Sequence, residues 1–595
     1  MCGIAGHFRS HGAATPLDLR LIAHRGPDAA GEWLSDDGRI WLGNTRLAIL
    51  DLSPAGAQPM IDPATGNVLI VNGEIYNHLA LRAELSGVEW RGTSDTETLL
   101  QAYARWGRDA LVRLKGMFAF AIFDQARDEL FVARDRLGIK PLYYAVDDGG
   151  LRFASEVKVL AGPHPGVTPE SVAAYLQWGA CPEDRLLFED IETLPAGHFM
   201  TISNSGELEV SRYWPGRKNF VSPNESVPQR VRALLETAVE EHLLSDVPVA
   251  SFLSGGIDSS IITALAAQKM ERKLETFSVG FDVVGFDESN IALAVAQRFG
   301  TKHERIRLSE AEVIEAVTEA VGHLDLPSVD AINTYIVARA VAQRGVKVAL
   351  SGLGGDELFG GYPSFRDVPR LQLLALLPRF LRKAMGGARL ADLPNDSGAA
   401  GLAQWRRRFF TDEMLRAAGL PNERTPLPMP VELPDDFARI SWAELTGYMR
   451  RMLLRDSDQM SMAVSLELRV PFLDHELVEY SLGLPAAEKR RYRGVKGLLV
   501  EACRDLLPPA VYQRPKAGFA LPMQKWMEGP LASFVERGLE ETVATGLLPE
   551  DFVAQARLDF RSRQLHWTRL WSMVVLGHFV RQNRSHENPA LHSFA

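Results

Sequence analysis

Cysteine is scarce: the chain has three in 595 residues, at positions 2, 181 and 503. That excludes a disulfide framework and predicts a reducing, cytoplasmic setting. Surplus positive charge is also missing. With 65 Lys and Arg against 75 Asp and Glu the net charge is -10, the wrong sign for a protein that grips nucleic acid through its phosphates. No uninterrupted apolar stretch is long enough to span a bilayer. The closest approach, 371–381, is short and carries Gln372 and Arg379. Early apolar runs are broken by Arg9, Asp18, Arg20 and His24, so no signal peptide is visible. Internal repeats and low-complexity tails are absent too. What remains is 46% hydrophobic and 24% charged, the composition of a globular protein too long for one core. Two or more domains are expected.

The first third reads as β-rich. Residues 67–71 form an apolar run ending in a turn at Asn72-Gly73. Runs at 117–124 and 129–135, joined by a short polar link, predict a hairpin, and 140–146 with 151–154 predict another. Stacked antiparallel strands imply a sandwich. After about residue 215 the pattern changes to strands alternating with helices: strands at 247–253, 275–281, 304–308 and 346–350, helices at 259–269, 290–299 and 332–343. That alternation predicts a parallel sheet with right-handed crossovers. The periodicity switches between 199 and 217, which places the domains at 2–210 and 216–595. Five prolines between 421 and 434 mark a loop.

Cys2 stands next to the initiator Met1. Removal of Met1 would put a thiol and a free α-amine on one residue, and an α-amine titrates at about pH 7.7–8.0, suited to taking and returning the thiol proton. Four short elements follow: His24-Arg25-Gly26-Pro27-Asp28 at a turn; Arg46 to Asp51, beginning at a strand; Asn72-Gly73-Glu74-Ile75-Tyr76-Asn77 after a strand; and Ser94-Asp95-Thr96-Glu97 at a helix start, capped by Ser94 or Asp95. Singly each is ordinary turn chemistry. In this order after Met-Cys-Gly-Ile they resemble the glutaminase domain of the class II, N-terminal-cysteine amidotransferases. The resemblance implies an Ntn-hydrolase-type sandwich in which Cys2 attacks the glutamine amide. Asn72 and the Gly73 N–H would then stabilise the oxyanion. Arg46 would bind the α-carboxylate, Glu74 and Asp95 the α-ammonium, and Leu50 would complete the glutamine site.

A second cluster, Ser254-Gly255-Gly256-Ile257-Asp258-Ser259-Ser260, lies between a strand and a helix, where N–H groups face an anion. It lacks the Gly-Lys-Ser/Thr ending of the common phosphate loop. It is similar to the pyrophosphate loop of enzymes that cleave ATP between the α- and β-phosphates, with Asp258 suited to Mg²⁺. A third cluster runs from Leu350 to Tyr362, with small residues at a strand end where a nucleotide could lie and Asp356 placed for the second side of the metal. Arg469-Val470-Pro471-Phe472-Leu473-Asp474 and Arg514-Pro515-Lys516 come further on.

Taken together, the motifs resemble the glutamine-hydrolysing asparagine synthetases from Met1 to about 525. The resemblance implies a synthetase domain of the adenine-nucleotide α-hydrolase type with many helices. It implies ATP as co-substrate, Mg²⁺, and glutamine plus aspartate or another carboxylate as partners. Leu253, Ser254, Gly255, Gly256, Asp258, Ser259, Val279, Ser351 and Gly352 would contact ATP, Asp258 and Asp356 would hold the metal, and Lys516 would face the departing pyrophosphate. Ammonia would cross an internal apolar tunnel. It is compatible with a homodimer, and with neither a nucleic-acid nor a membrane partner. One residue departs: Leu353 stands where aspartate-using members carry an acid, and leucine cannot hydrogen-bond an ammonium or relay a proton. A different acceptor carboxylate, or an idle scaffold, are the alternatives. The retention of Cys2, Asn72, Asp95, Asp258, Asp356 and Lys516 argues against idleness.

Overall fold

The computed structural model describes residues 2–147, 149–162, 165–216, 226–281, 289–394, 398–422, 433–513 and 521–584. Among them, strands form three sheets. The first two are antiparallel, each of six strands. One is ordered Glu192–Thr193, Tyr143–Asp147, Gly150–Ala154, Cys2–Arg9, Ile40–Arg46, Ala29–Leu34, and the other Leu208–Arg212, His198–Ser203, Glu129–Arg134, Gly116–Asp124, Val68–Ile75, Met60–Ile61. Ile4, Phe8, Leu42, Ile70, Val132 and Met200 fill the space between them. The alternation of apolar residues along these strands puts one face of each sheet into that shared core.

Both expected hairpins form, 116–124 with 129–134 and 143–147 with 150–154. Asn72-Gly73 is not a turn, however. The strand continues through both residues to Ile75, pairing with 116–123 of its neighbour. Glycine is required there for close approach: a Cβ on Gly73 would stand 2.1 Å from the Met117 carbonyl oxygen. Turn chemistry and close backbone approach use the same residue, and the sequence does not separate them. Arg46 likewise closes a strand instead of opening one.

The third sheet is parallel, in the order Lys302–Leu308, Glu275–Phe281, Val249–Phe252, Val348–Leu350, Glu467–Arg469. The edge strand Glu467–Arg469 carries the Arg469 motif and is too short and too charged to stand out as a strand in the sequence. Helices Ile257–Lys269, Ser289–Phe299 and Ala331–Ala342 cross between strands as the alternation predicts. The 421–434 loop lies mostly outside the described residues. No described helix is long and apolar enough to cross a membrane.

The antiparallel sheets and the parallel sheet share buried structure. The outer face of the first antiparallel sheet, through Trp41 and Tyr143, packs on Tyr175, Val313, Trp571 and Phe579 from the helices beyond. Charges are buried across the same boundary. The Arg25 guanidinium, fully shielded, meets Glu156 at 2.9 Å and Asp458 at 2.7 Å, and Lys140 reaches Asp458 at 3.4 Å. Burial opposes the charge of Arg25, but the two carboxylates raise its pKa further. Removing this cation would take one close partner from each of two buried acids, leaving Asp458 with Lys140 and Glu156 with His24 and Lys158. Arg25→Met should therefore cost about 3–5 kcal/mol in chemical denaturation. A loss under about 1 kcal/mol would show that the ions find other partners or water.

Candidate active sites and the residues between them

Cys2 begins the central strand of the first sheet and is buried. Its backbone N donates to Asn72 Oδ1 at 3.3 Å, which places Asn72 from one sheet against Cys2 on the other. Asn72 is fully buried, and its Nδ2 has no hydrogen-bond partner. A buried amide donor left open costs stability unless it has another use. It is a ready donor for an oxyanion forming near Cys2. Burial raises the Cys2 thiol pKa, against the weaker pull of hydrogen bonds from Leu47 and Asn44. The thiolate therefore needs a base at hand.

Arg46 is engaged from within. Its guanidinium donates to the carbonyls of Ser53 at 3.1 Å, Leu50 at 3.5 Å and Asp51. It thereby fixes the 50–53 loop beside the candidate glutamine site. Asp95 opens the helix Asp95–Trp106, whose N-cap Ser94 accepts from the Glu97 N–H at 3.2 Å. Asp95 Oδ2 accepts from Ile75 N at 2.7 Å, joining that helix to the Asn72 strand. Burial, then the nearby charge of Glu467, push the Asp95 carboxyl up. Glu74 is pushed well up by burial, followed by the like charges of Asp95 and Glu467.

Glu74 also points to what the sequence did not show. Its Oε1 lies 3.5 Å from Arg469 of the parallel sheet. Arg469 is fully shielded and pairs with Glu467 at 2.5 Å. Its Nη1 donates to the carbonyls of His242 at 2.8 Å and Leu244 at 2.6 Å. Its own carbonyl accepts from Ser351 N at 2.8 Å. One residue thus touches the candidate glutamine site with its side chain and the candidate nucleotide loop with its backbone.

At the carboxyl end of the parallel strands, Val249–Phe252 leads through Leu253 to Gly256 into the helix Ile257–Lys269. That helix has Gly256 at its N-cap and no side-chain cap, so backbone N–H groups remain for an anion. Ser254 and Ser259 brace the loop, Oγ to Oγ at 3.0 Å. Val279 lies two residues past Phe277, which pairs with Phe252, so it borders the same strand ends. The Leu350–Tyr362 loop folds against this one. A Cβ on Gly352 would stand 2.8 Å from Ser259 N, and one on Gly355 2.4 Å from Asp258 Oδ1.

Between Asp258 and Asp356 stands Lys496, an isolated lysine that no sequence motif marks. Its Nζ contacts Asp258 Oδ2 and lies 2.6 Å from Asp356 Oδ1. Burial works against the ammonium, but the two carboxylates raise its pKa. Its backbone has φ +54, a conformation that costs a non-glycine residue roughly 1–2 kcal/mol. Such strain collects at functional positions. A Cβ on Gly361 would stand 2.5 Å from Lys496 Cε, so that glycine makes room for it. Lys516, the lysine expected here, lies outside the described residues. Two hard carboxylates converging on one point also suit a divalent cation that brings its other ligands with a phosphate chain. Leu353 is half-buried against the apolar cluster beside these loops.

A model of the asparagine synthase family matches residues 230–581, and a model of the glutamine amidotransferase domain matches residues 1–214. The chain is 35% identical to a putative asparagine synthetase [glutamine-hydrolyzing] of Mycobacterium tuberculosis, over 93% of this chain and 91% of that protein. It is 32% identical to asparagine synthetase [glutamine-hydrolyzing] 1 of Bacillus subtilis, over 97% and 96%. It is also 30% identical to the amidase chry2 of Gibberella zeae, over 89% and 90%.

Behind Asp356, Glu357 is buried and accepts from Tyr362 Oη at 2.6 Å. Its other oxygen has no hydrogen-bond partner. Burial and the charge of Asp356 raise its pKa to about 8, so it is protonated in the fold at neutral pH and ionised in the unfolded chain. The unfolded state then binds fewer protons, and stability falls as pH rises from the ordinary Glu range, about 4.3, towards 8, where it levels off. Glu357→Gln keeps the acceptor oxygen for Tyr362 and removes the titration. The variant should gain on the wild type by up to roughly 1.4 kcal/mol per pH unit across that window. Denaturation curves of the two proteins that run parallel from pH 5 to pH 8 would rule this out.

Proposed function

The chain belongs to the asparagine synthase family and carries a glutamine amidotransferase domain, and from that premise we propose that it amidates a carboxylate with glutamine nitrogen, cleaving ATP to AMP and pyrophosphate. The observation that carries this reading is Arg469, whose side chain pairs with Glu74 and whose carbonyl holds Ser351. A hydrolase alone, or a nucleotide enzyme alone, has no use for that link.

In the first site, loss of Met1 turns the Cys2 N that meets Asn72 into an α-amine. The amine takes the thiol proton, and Sγ attacks the glutamine side-chain carbonyl carbon. Asn72 Nδ2 and the Gly73 N–H receive the oxyanion. The amine returns the proton to the leaving nitrogen, which departs as ammonia, and water then cleaves the thioester to glutamate. Arg46 and the loop it holds would bind the substrate carboxylate, and Glu74 and Asp95 its ammonium.

In the second site, an oxygen of the acceptor carboxylate attacks the α-phosphorus of ATP. The bond to the bridging oxygen breaks and pyrophosphate leaves. Ammonia then attacks the activated acyl carbon and AMP departs. Lys496 would steady negative charge as it develops on the phosphates. Asp258 and Asp356 would hold Mg²⁺, which when bound supplies charge neutralisation along the phosphate chain. The Ser254–Ser259 loop and the uncapped helix behind it would seat the pyrophosphate, with Val279, Ser351 and Gly352 beside the nucleoside.

The two chemistries should separate cleanly. Cys2→Ala should abolish glutamine-dependent product yet retain product from added ammonia. Lys496→Met should lower AMP formation at least 100-fold, about 2.7 kcal/mol in the barrier, while glutamine hydrolysis persists. Loss of both activities in both variants would contradict two sites, and ADP in place of AMP would contradict the pyrophosphate-loop assignment.

Aspartate is the leading acceptor, and Leu353 favours a second reading in which a different carboxylate fits better. A leucine there removes one polar anchor, worth about 1–3 kcal/mol when buried. In a pyrophosphate-release screen across carboxylates, Leu353→Glu should raise the specificity constant for aspartate about 5- to 150-fold if aspartate is native to the pocket. Wild-type turnover of aspartate unmatched by any other acid, and unimproved by the substitution, would show that Leu353 carries no such meaning.

A further inference from the structure

A cavity of about 890 Å³ opens between the end of the antiparallel sandwich and the helical part of the synthetase half. Its wall shares no residue with either candidate active site. It falls within the size range of small-molecule pockets, about 300–1,000 Å³. One side is formed by the segment Glu444–Leu454, eleven residues wound as a π-helix. Such windings are rare and recur at functional sites.

Arg451 leaves that π-helix and lines the cavity. It has no hydrogen bond and no ion pair among the described residues. Its guanidinium lies 4.2 Å over the ring of Trp178. Burial, only partly offset by the charges of Asp184 and Glu183, pushes its pKa down to about 10. Its neighbours are differently placed. Arg450 meets Glu183 at 3.6 Å, and Glu183 meets Arg134 at 2.8 Å. Glu192 accepts from Tyr144 at 2.6 Å. Asp184 and Glu189 stand exposed. So Glu183 and Glu192 are engaged, while the half-buried Arg451 beside them has no such partner among the described residues.

A second donor stands unused in the same wall. Gln404 Nε2 is buried without a hydrogen-bond partner. Gly447, one turn before Arg451, packs close to this amide: a Cβ there would come within 3.1 Å of that nitrogen. The rest of the wall includes the indoles of Trp442 and Trp214, whose ring centroids are 6.2 Å apart. A half-buried guanidinium with no acceptor among the described residues and a buried amide nitrogen with none both leave donors unused, and an oxyanion would satisfy both.

We propose that this cavity is a third ligand site, taking a small organic anion whose carboxylate or phosphate oxygens meet Arg451 and Gln404 while its apolar or aromatic body lies on Trp442 and Trp214.

Calorimetric titration of the full-length protein with phenylacetate, phenyl phosphate, inorganic phosphate and the neutral phenylacetamide tests it. At least one aromatic anion should bind ten or more times tighter than phenylacetamide and than inorganic phosphate. Preference for phenylacetate or for phenyl phosphate identifies a carboxylic acid or a phosphate ester as the ligand class. Arg451→Gln should abolish the tenfold preference, and Gln404→Leu should weaken it several-fold. Binding should persist with glutamine and Mg-ATP at saturation. Arg451→Gln gives up the guanidinium's stacking on Trp178 but no hydrogen bond or ion pair among the described residues, so the variant should still unfold cooperatively and keep AMP formation. The proposal fails if neither aromatic anion outbinds phenylacetamide, or if the preference survives in Arg451→Gln. It fails equally if ATP displaces the probe, or if the probe is itself consumed with release of pyrophosphate.

Discussion

The buried guanidinium of Arg469 is the contact on which the rest of the arrangement depends. Taking it out of water is costly, and Glu467 with two carbonyls bond to it while Glu74 adds its charge at 3.5 Å. An apolar core of the same volume would hold the halves together at least as well. What an apolar contact lacks is direction. A planar fork that must meet several acceptors admits one placement of the antiparallel sheet relative to the parallel one. The Arg25 and Lys140 contacts to Asp458 repeat the device elsewhere on the boundary.

Within each site the constraint is crowding. Gly73 lets two strands close over Asn72, and Gly352, Gly355 and Gly361 let three segments close around Asp258, Asp356 and Lys496. Any side chain at these positions would push the charged groups apart. In the Asp–Lys–Asp cluster two acids and one cation stabilise each other's charged forms.

Much of this was legible beforehand. Residue spacing and alternation located the hairpins and the crossover helices, because period and turn chemistry are local. The helix start at Ser94-Asp95 was visible for the same reason, and the structure makes Ser94 the cap. Cys2, Asn72 and Asp95 lie far apart in sequence, yet their motifs are short enough to be seen singly, and the structure brings them to one place. Asn72-Gly73 was misread as a turn because the glycine there answers to a neighbouring strand. Lys496 carried no signal at all, being an isolated lysine whose meaning lies in two aspartates more than a hundred residues away. Arg469 was visible as part of a motif, but its role was not.

By itself the sequence determined the sheet types of the two halves and singled out Cys2 and the Asn72-Gly73 and Ser254–Ser260 segments as candidates, since each rests on local pattern. Tertiary structure alone decided that Lys496 stands between the carboxylate pair, that Arg469 joins Glu74 to Ser351, and that Arg451 and Gln404 line one cavity. Those facts depend on which buried charges find partners. Electrostatic pairing acts through space between residues that the chain order keeps apart.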